Sequence, residues 1–483
     1  MARTKSDGCV VRVDERTPLI TPTNTECESH AWENETPLTA VVWLIFPILL
    51  AGIFLSNVVS SIVIATGQRI ASEFNALSSA AWLLTVYTLA QASTQPLYGK
   101  LSDIYGRRKC LIFCWLVFGL GCLIAASGQS YWQVLAGRAL SGIGSAGKIA
   151  LTSIIVADLI PLHQVAHYRA YINLTATVAR MLGGPIGGWL AGSVGWRWPF
   201  LAQFPLALLG LGLVLWKLPE PKHDHTQSKG ISEPAESQLS RVDFLGAITL
   251  ICTILTGLLS LDLATREGGS AITISLVTAF GISLVLFYLV ETHWAKEPIL
   301  PLGLVLKRDV LTSYLIICFQ AAGQFGVVER ESISSSSTRI VPVVFGNAAG
   351  TILSQRLITR WQRYKALTAF GNIANLTGFS LILLFWHGKV SWFQALFVAL
   401  PGMGMGIVQS STFIHLAASL DNSEIAIAGA SWFLAQNIGV LIGASFSTAS
   451  INYALKLSLD NLLDGVEGKE QVRKFPSMGD CVF

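Results

Sequence analysis

The chain has 483 residues, 52% of them hydrophobic and only 13% charged, with a mean hydropathy of +0.56 and a formal charge of +4. Soluble domains carry roughly 25% charged residues, so this composition excludes an ordinary soluble protein, and so small a charge over this length gives no ground for a nucleic-acid partner. Apolar runs of about 18 to 25 residues recur along the chain. They point to an all-α membrane protein rather than a barrel, whose strands alternate over about ten residues.

Residues 1–39 are polar, lack the early apolar run of a cleaved signal, and read as a disordered tail. Spans are predicted at 40–65, 80–98, 110–127, 132–159, 168–191 and 197–218, a first six-helix bundle over 40–218. Residues 219–242, rich in Pro, Ser and charge, form a linker. Two additional spans, 243–263 and 270–290, occupy 243–290 and are followed by a polar loop over 291–309. A second bundle covers 310–449, with spans at 310–328, 340–358, 366–386, 391–417 and 425–449, before a polar tail over 450–483.

That gives about thirteen spans. Two features set the second bundle apart. The stretch GQFGVVERESISSSSTRIVPVV, residues 323–344, is expected to end its span at Val328 and form a loop, leaving a shortened helix. No further apolar run follows residue 449, so the bundle is expected to lack its last helix, with Asn437, Gly439 and Gly443 left facing lipid or an ill-fitting tail. Both features leave open a transport-inactive sensor or a truncated, nonfunctional product.

Lys and Arg cluster in alternate loops: Arg107, Arg108 and Lys109; Arg169; Lys217, Lys222, Lys229 and Arg241; Lys296, Lys307 and Arg308; Arg356, Arg360, Arg363 and Lys365. The opposite loops hold Arg69, Arg197, Arg266 and Lys389, together with Arg330 and Arg339. The positive-inside rule therefore places the N-terminus in the cytosol. Each half also carries a basic stretch after its second helix, GKLSDIYGRRK at 99–109 and GTILSQRLITRWQRYK at 350–365. These are traces of an internal repeat, the device transporters use to build alternating access around a midplane site.

GKLSDIYGRRK resembles the signature loop of the major facilitator superfamily through Gly99, Asp103, Gly106, Arg107 and Arg108. Glycines there permit a tight turn between packed helices, Asp103 can accept hydrogen bonds, and the Arg pair can hold carboxylates or lipid phosphates, as a gate requires. RALSGIGSAG in the fourth span resembles a second superfamily motif through Arg138, Gly142 and Gly144. The resemblance assigns Arg138, with Asp158 as a nearby acid, to proton coupling or a cavity; a snorkelling structural Arg is the alternative. RMLGGPIGGWL in the fifth span is similar to the antiporter motif through Gly184, Pro185, Gly187 and Gly188, with Arg180 where that pattern has glycine. GWRWPF, residues 195–200, is similar to the adjoining loop of drug:proton antiporters, or serves as an interfacial aromatic belt.

Together these motifs resemble the fourteen-span drug:proton antiporter family, and YTLAQASTQPLYGKLSDIYGRRK and SIIVADLIPL resemble its fungal vacuolar basic amino acid transporter branch. The resemblance implies a major facilitator fold: two six-helix bundles with two extra helices between them. It also implies a multi-pass protein of the vacuolar membrane, or alternatively of the plasma membrane, which moves amino acids, basic ones among them, or similar solutes with protons. A drug or toxin efflux pump is the alternative. DERTPLI, residues 14–20, resembles an acidic dileucine sorting signal through Glu15, Leu19 and Ile20, implying sorting adaptors as partners beside substrate, protons and bilayer. A monomer is expected.

The chain departs from the branch in charge. The aspartate expected in the first span is replaced by Val59, while Lys148 and Arg180 add positive charge. Arg138 and Lys148 lie roughly 80° apart around their helix and could border one aqueous cavity, whose sign would repel Lys and Arg as substrates. The eight scattered cysteines show no metal or disulfide spacing. No catalytic constellation is visible, so neither an enzyme nor a cofactor or metal is expected.

Overall fold

The computed structural model describes residues 38–462 apart from 81, 161, 218–242, 268–270, 295–301, 334–340, 362–363, 386–393, 395 and 421. The tail motif Glu15, Leu19 and Ile20 lies outside these residues. The first half contains α1 (Leu38–Glu73), α2 (Trp82–Tyr105), α3 (Arg107–Ala126), α4 (Tyr131–Leu159), α5 (Leu162–Ser193) and α6 (Gln203–Lys217), the last led in by a short helix at Arg197–Leu201. Then come α7 (Phe244–Glu267) and α8 (Ala271–Leu289). The second half contains α9 (Arg308–Ile333), α10 (Val341–Trp361), α11 (Tyr364–Phe385), α12 (Ala399–Ala418) and α13 (Asn422–Leu462).

The helices begin and end where the local chemistry dictates. The Ser130 side chain accepts from the Gln133 backbone N–H at 3.3 Å and starts α4, and Asp243 caps α7 through Gly246 N–H at 2.8 Å. Gly106, at φ 89°, makes the turn from α2 to α3, a conformation that a side chain would oppose. Gly99, expected to share that turn, lies buried inside α2 instead, because the helix runs on to Tyr105.

The halves are built alike. In the first, α1 packs on α5 while α4 packs on both α2 and α3; in the second, α9 packs on α13 while α12 packs on both α10 and α11. The halves meet chiefly along α5 with α10 and α2 with α13, two seams related by the same internal symmetry. Helices α7 and α8 pack on each other, and α7 lies against α2 and α13 outside the second seam.

Two expectations for the second half are corrected. The helix does not end at Val328: α9 continues through Glu329, Arg330 and Glu331 to Ile333, since helical hydrogen bonds within the backbone do not require apolar side chains once the chain leaves the hydrocarbon. Nor do Asn437, Gly439 and Gly443 face lipid. A methyl group on Gly439 or Gly443 would collide with the backbone carbonyls of Cys318 or Ala322 in α9, and the Asn437 amide donates to Gln95 Oε1 at 2.8 Å. Small residues thus let α9 and α13 approach at backbone distance, a common way for membrane helices to associate without a hydrophobic driving force. The final helix, at 41 residues, is also longer than the predicted span and continues to Leu462.

Replacing Gly439 by Leu is expected to destabilise the α9–α13 contact by about 1–3 kcal/mol, the usual cost of overpacking. In detergent the variant should melt several degrees lower, whereas Gly281→Leu on α8, where a side chain meets open space, should melt like the parent. Equal melting of Gly439→Leu and parent would refute the close approach.

Candidate functional site

Arg107 organises the loop between α2 and α3. Its guanidinium pairs with Asp103 one turn earlier, donates to Ser102 Oγ at 2.7 Å, and reaches Asp158 Oδ2 at the end of α4 at 3.0 Å. One cation therefore ties three helices together. Arg108 donates to the Leu215 carbonyl in the last turn of α6 at 2.7 Å, a C-terminal cap between helices. Asp158, expected near the coupling site, belongs to this basic-loop cluster.

The motif glycines of α4 serve packing. A side chain at Gly142 would strike the Tyr87 carbonyl of α2, at 2.6 Å, and one at Gly144 the Phe118 N–H and Cys114 carbonyl of α3, at 2.5 and 2.6 Å. Arg138 is fully buried between these helices. Its Nε donates to the Leu83 carbonyl at 3.1 Å and its guanidinium lies 4.3 Å from the Tyr87 ring. Lys148 is equally buried but faces α3, with Nζ 3.1 Å from the Phe118 ring and 4.7 Å from Trp115. The two cations therefore do not border a common aqueous cavity: each is enclosed by aromatic faces, which attract cations electrostatically.

On α5, a side chain at Gly187 would come within 3.0 Å of Ile62 of α1, whereas Gly184 and Gly188 face open space and Pro185 is exposed. Gly183 makes the other close contact with α1, against Ser61 and Val58. The antiporter-like motif thus has two faces, one packed on α1 and one empty.

The empty face leads to the site. Asn173, Thr177, Arg180 and Gly184 recur at helical spacing and share one side of α5. Near the basic-loop end this side is sealed by the second half. Asn173 donates to Ser410 Oγ at 3.4 Å, and Thr177 Oγ1 lies 3.2 Å from Asn347 Oδ1. Closer still to the basic loops, His167 hydrogen-bonds Gln355. Arg169, fully buried, donates to Ser153 Oγ at 2.7 Å and stacks on Phe413 at 3.7 Å, with Trp432 and Phe433 at 5.3 and 5.5 Å. Beyond Thr177 the seal ends. Arg180 is exposed, its Nε donating to Asn57 Oδ1 at 2.9 Å, and Gly184 and Gly188 follow with nothing against them. At the second seam Gln95 and Asn437 make the counterpart of the Thr177–Asn347 bridge.

This is a polar seam between two similar bundles, closed on the side of the basic loops and open on the other. A family model for the Major Facilitator Superfamily matches residues 48–444. The chain belongs to the major facilitator superfamily. It is 31% identical over 457 residues to the vacuolar membrane amino acid uptake transporter fnx2 of Schizosaccharomyces pombe, covering 91% of this chain and 77% of that one. It is 30% identical over 452 residues to the multidrug resistance protein fnx1 of the same yeast, with 89% and 83% covered. Vacuolar basic amino acid transporter 2 of Saccharomyces cerevisiae is 27% identical over 413 residues, covering 82% and 87%. Among solved structures the chain resembles the human organic anion transporter MFSD10 at a TM-score of 0.58 and 17% identity, covering 86% of this chain and 94% of that one, a likeness of fold.

Sequence reasoning reaches the superfamily loop but not the contacts across the seam. Arg169 reads there as a loop charge alone, since its aromatic partners lie more than 200 residues away. The spacing of Asn173, Thr177 and Arg180 is the available signal.

Asp103→Asn keeps the shape of the loop and removes the charge paired with Arg107. Because the pair is partly solvated, its loss is worth little in stability. The variant is expected to reach the membrane at parental abundance and to transport between about two- and ten-fold more slowly, in line with the roughly 0.5–1.5 kcal/mol of a typical hydrogen bond. An unchanged rate would show that the loop serves topology alone.

Proposed function

We propose that this chain is a proton-coupled secondary transporter of the vacuolar membrane that moves amino acids by alternating access, each monomer containing both halves of the pathway. The observation that supports it most is the α5 face, sealed against the second half from Arg169 to Thr177 and free from Arg180 onward. A substrate entering there meets the midplane between two bundles built alike, where transporters of this architecture bind. With the basic loops in the cytosol, the free side faces the vacuolar lumen. The similarity to fnx2 and to a vacuolar basic amino acid transporter supports both compartment and substrate class. Adaptors reading Glu15, Leu19 and Ile20 would deliver the protein.

In this reading Asp103, Arg107 and Asp158 hold the cytosolic gate, and Arg138 serves proton coupling from inside the first bundle. Drug:proton antiport is the second reading, favoured by similarity to fnx1 and by the Gly184–Pro185 motif.

Purified vacuoles carrying the protein should accumulate a labelled amino acid when the lumen is acidified and lose that accumulation when an ionophore collapses the gradient. Flux equal to that of vacuoles lacking the protein, together with gradient-dependent drug movement, would replace this reading by the second one.

A further inference from the structure

The open stretch of the seam begins at a positive charge, Arg180, and its geometry is specific. The Asn57 amide donates to the Ile53 carbonyl at 2.8 Å, which fixes the side chain with Oδ1 turned to Arg180 Nε at 2.9 Å. The Arg180 carbonyl is held in turn by Ser61 Oγ at 2.7 Å. The guanidinium is therefore oriented from α1 through Nε alone. Its two terminal nitrogens, which form the end-on fork that matches a carboxylate, make no hydrogen bond among the described residues and border the open stretch at Gly184.

Among the described residues no carboxylate is paired with that fork. Among the described residues of α1, α5, α10 and α12 the sole acid is Glu73. It stands at the far end of α1, roughly 24 Å along the helix from Asn57, and is paired with Arg197 at 2.7 Å. Val59, on the same helix, is fully buried and uncharged. A bound cation would find no countercharge on these helices and would meet Arg180. A carboxylate would find an oriented guanidinium on one side of the seam, with the neutral polar groups of Thr177 and Asn347 one turn deeper.

We infer that Arg180 is the anchor for the α-carboxylate of the substrate, and that the transported class is neutral or acidic amino acids rather than lysine or arginine. This rests on the amino acid reading above and narrows it. Charge separates the classes: a neutral zwitterion brings its carboxylate to Arg180 and leaves its ammonium to neutral acceptors, whereas a cationic side chain adds a second positive group near the guanidinium.

The test is uptake into acidified vacuoles by the parent, Arg180→Gln and Arg180→Lys, at matched abundance, together with competition on the parent alone. Against a labelled neutral amino acid, unlabelled neutral and acidic amino acids should compete. Lysine, arginine and the carboxamide of the same amino acid should compete at least ten-fold less well. Arg180→Gln should raise KM ten-fold or more, and Arg180→Lys should recover part of the loss. If Arg180→Gln fails to accumulate, competition on the parent still decides. Equal competition by the carboxamide, preference for lysine or arginine, or an unchanged KM in Arg180→Gln would overturn the anchor while leaving amino acid transport standing. Uptake of no amino acid by the parent would overturn both.

Discussion

A positive charge carried into the hydrocarbon of a bilayer costs about 2.5–3.5 kcal/mol on insertion scales, unless the protein supplies what water would have supplied. This chain carries several cations into or beside its membrane core, and the way each is satisfied sets the architecture of the site. Arg107, at the edge, is held by two carboxylates. Arg138 and Lys148, inside the first bundle, lie on aromatic faces, with no carboxylate paired to them among the described residues. Arg169 crosses to the second bundle for its aromatic partners. Arg180 has one amide oxygen and the open seam.

These solutions differ in what they permit. The Asp103–Arg107–Asp158 cluster and the cations of α4 make contacts within the first bundle and move with it as a rigid body. The stack of Arg169 on Phe413, Trp432 and Phe433 joins the bundles, as do the amide and hydroxyl bridges from Asn173, Thr177 and Gln95. None of these is a buried ion pair, whose separation would leave two uncompensated charges. Neutral hydrogen bonds and a cation on ring faces cost less to part, as bundles that rock past one another require.

Much of this is legible in the sequence because it is local. The succession of apolar helices, the two halves and the Gly106 turn each follow from runs or spacing. The second half misleads for the same reason. Polarity at Glu329–Glu331 looks like the end of a helix, and Gly439 and Gly443 look unpartnered, because neither the backbone ladder of α9 nor its approach to α13 leaves a mark in the pattern of either segment alone. The seam is hidden more deeply: Thr177 and Asn347 are 170 residues apart, and Gln95 and Asn437 are 342 apart. Only the pairing of α5 with α10 and α2 with α13 brings them together. Arg180 stands out as a departure from a glycine pattern, but its orientation by Asn57 requires the fold.

In the proposed cycle, the α5 face that is sealed toward the basic loops opens there as its other end closes. The most direct test places single cysteines by Asn173→Cys and Gly184→Cys in a chain whose eight native cysteines are replaced, and labels intact vacuoles from the cytosolic face with a membrane-impermeant maleimide. Neither variant should react at rest, and Gly184→Cys should react once the reagent has access to the lumen. Substrate with a pH gradient should then expose the thiol of Asn173→Cys to the cytosol. Labelling of Asn173→Cys from the cytosol at rest, at a rate that substrate does not change, would contradict the cycle.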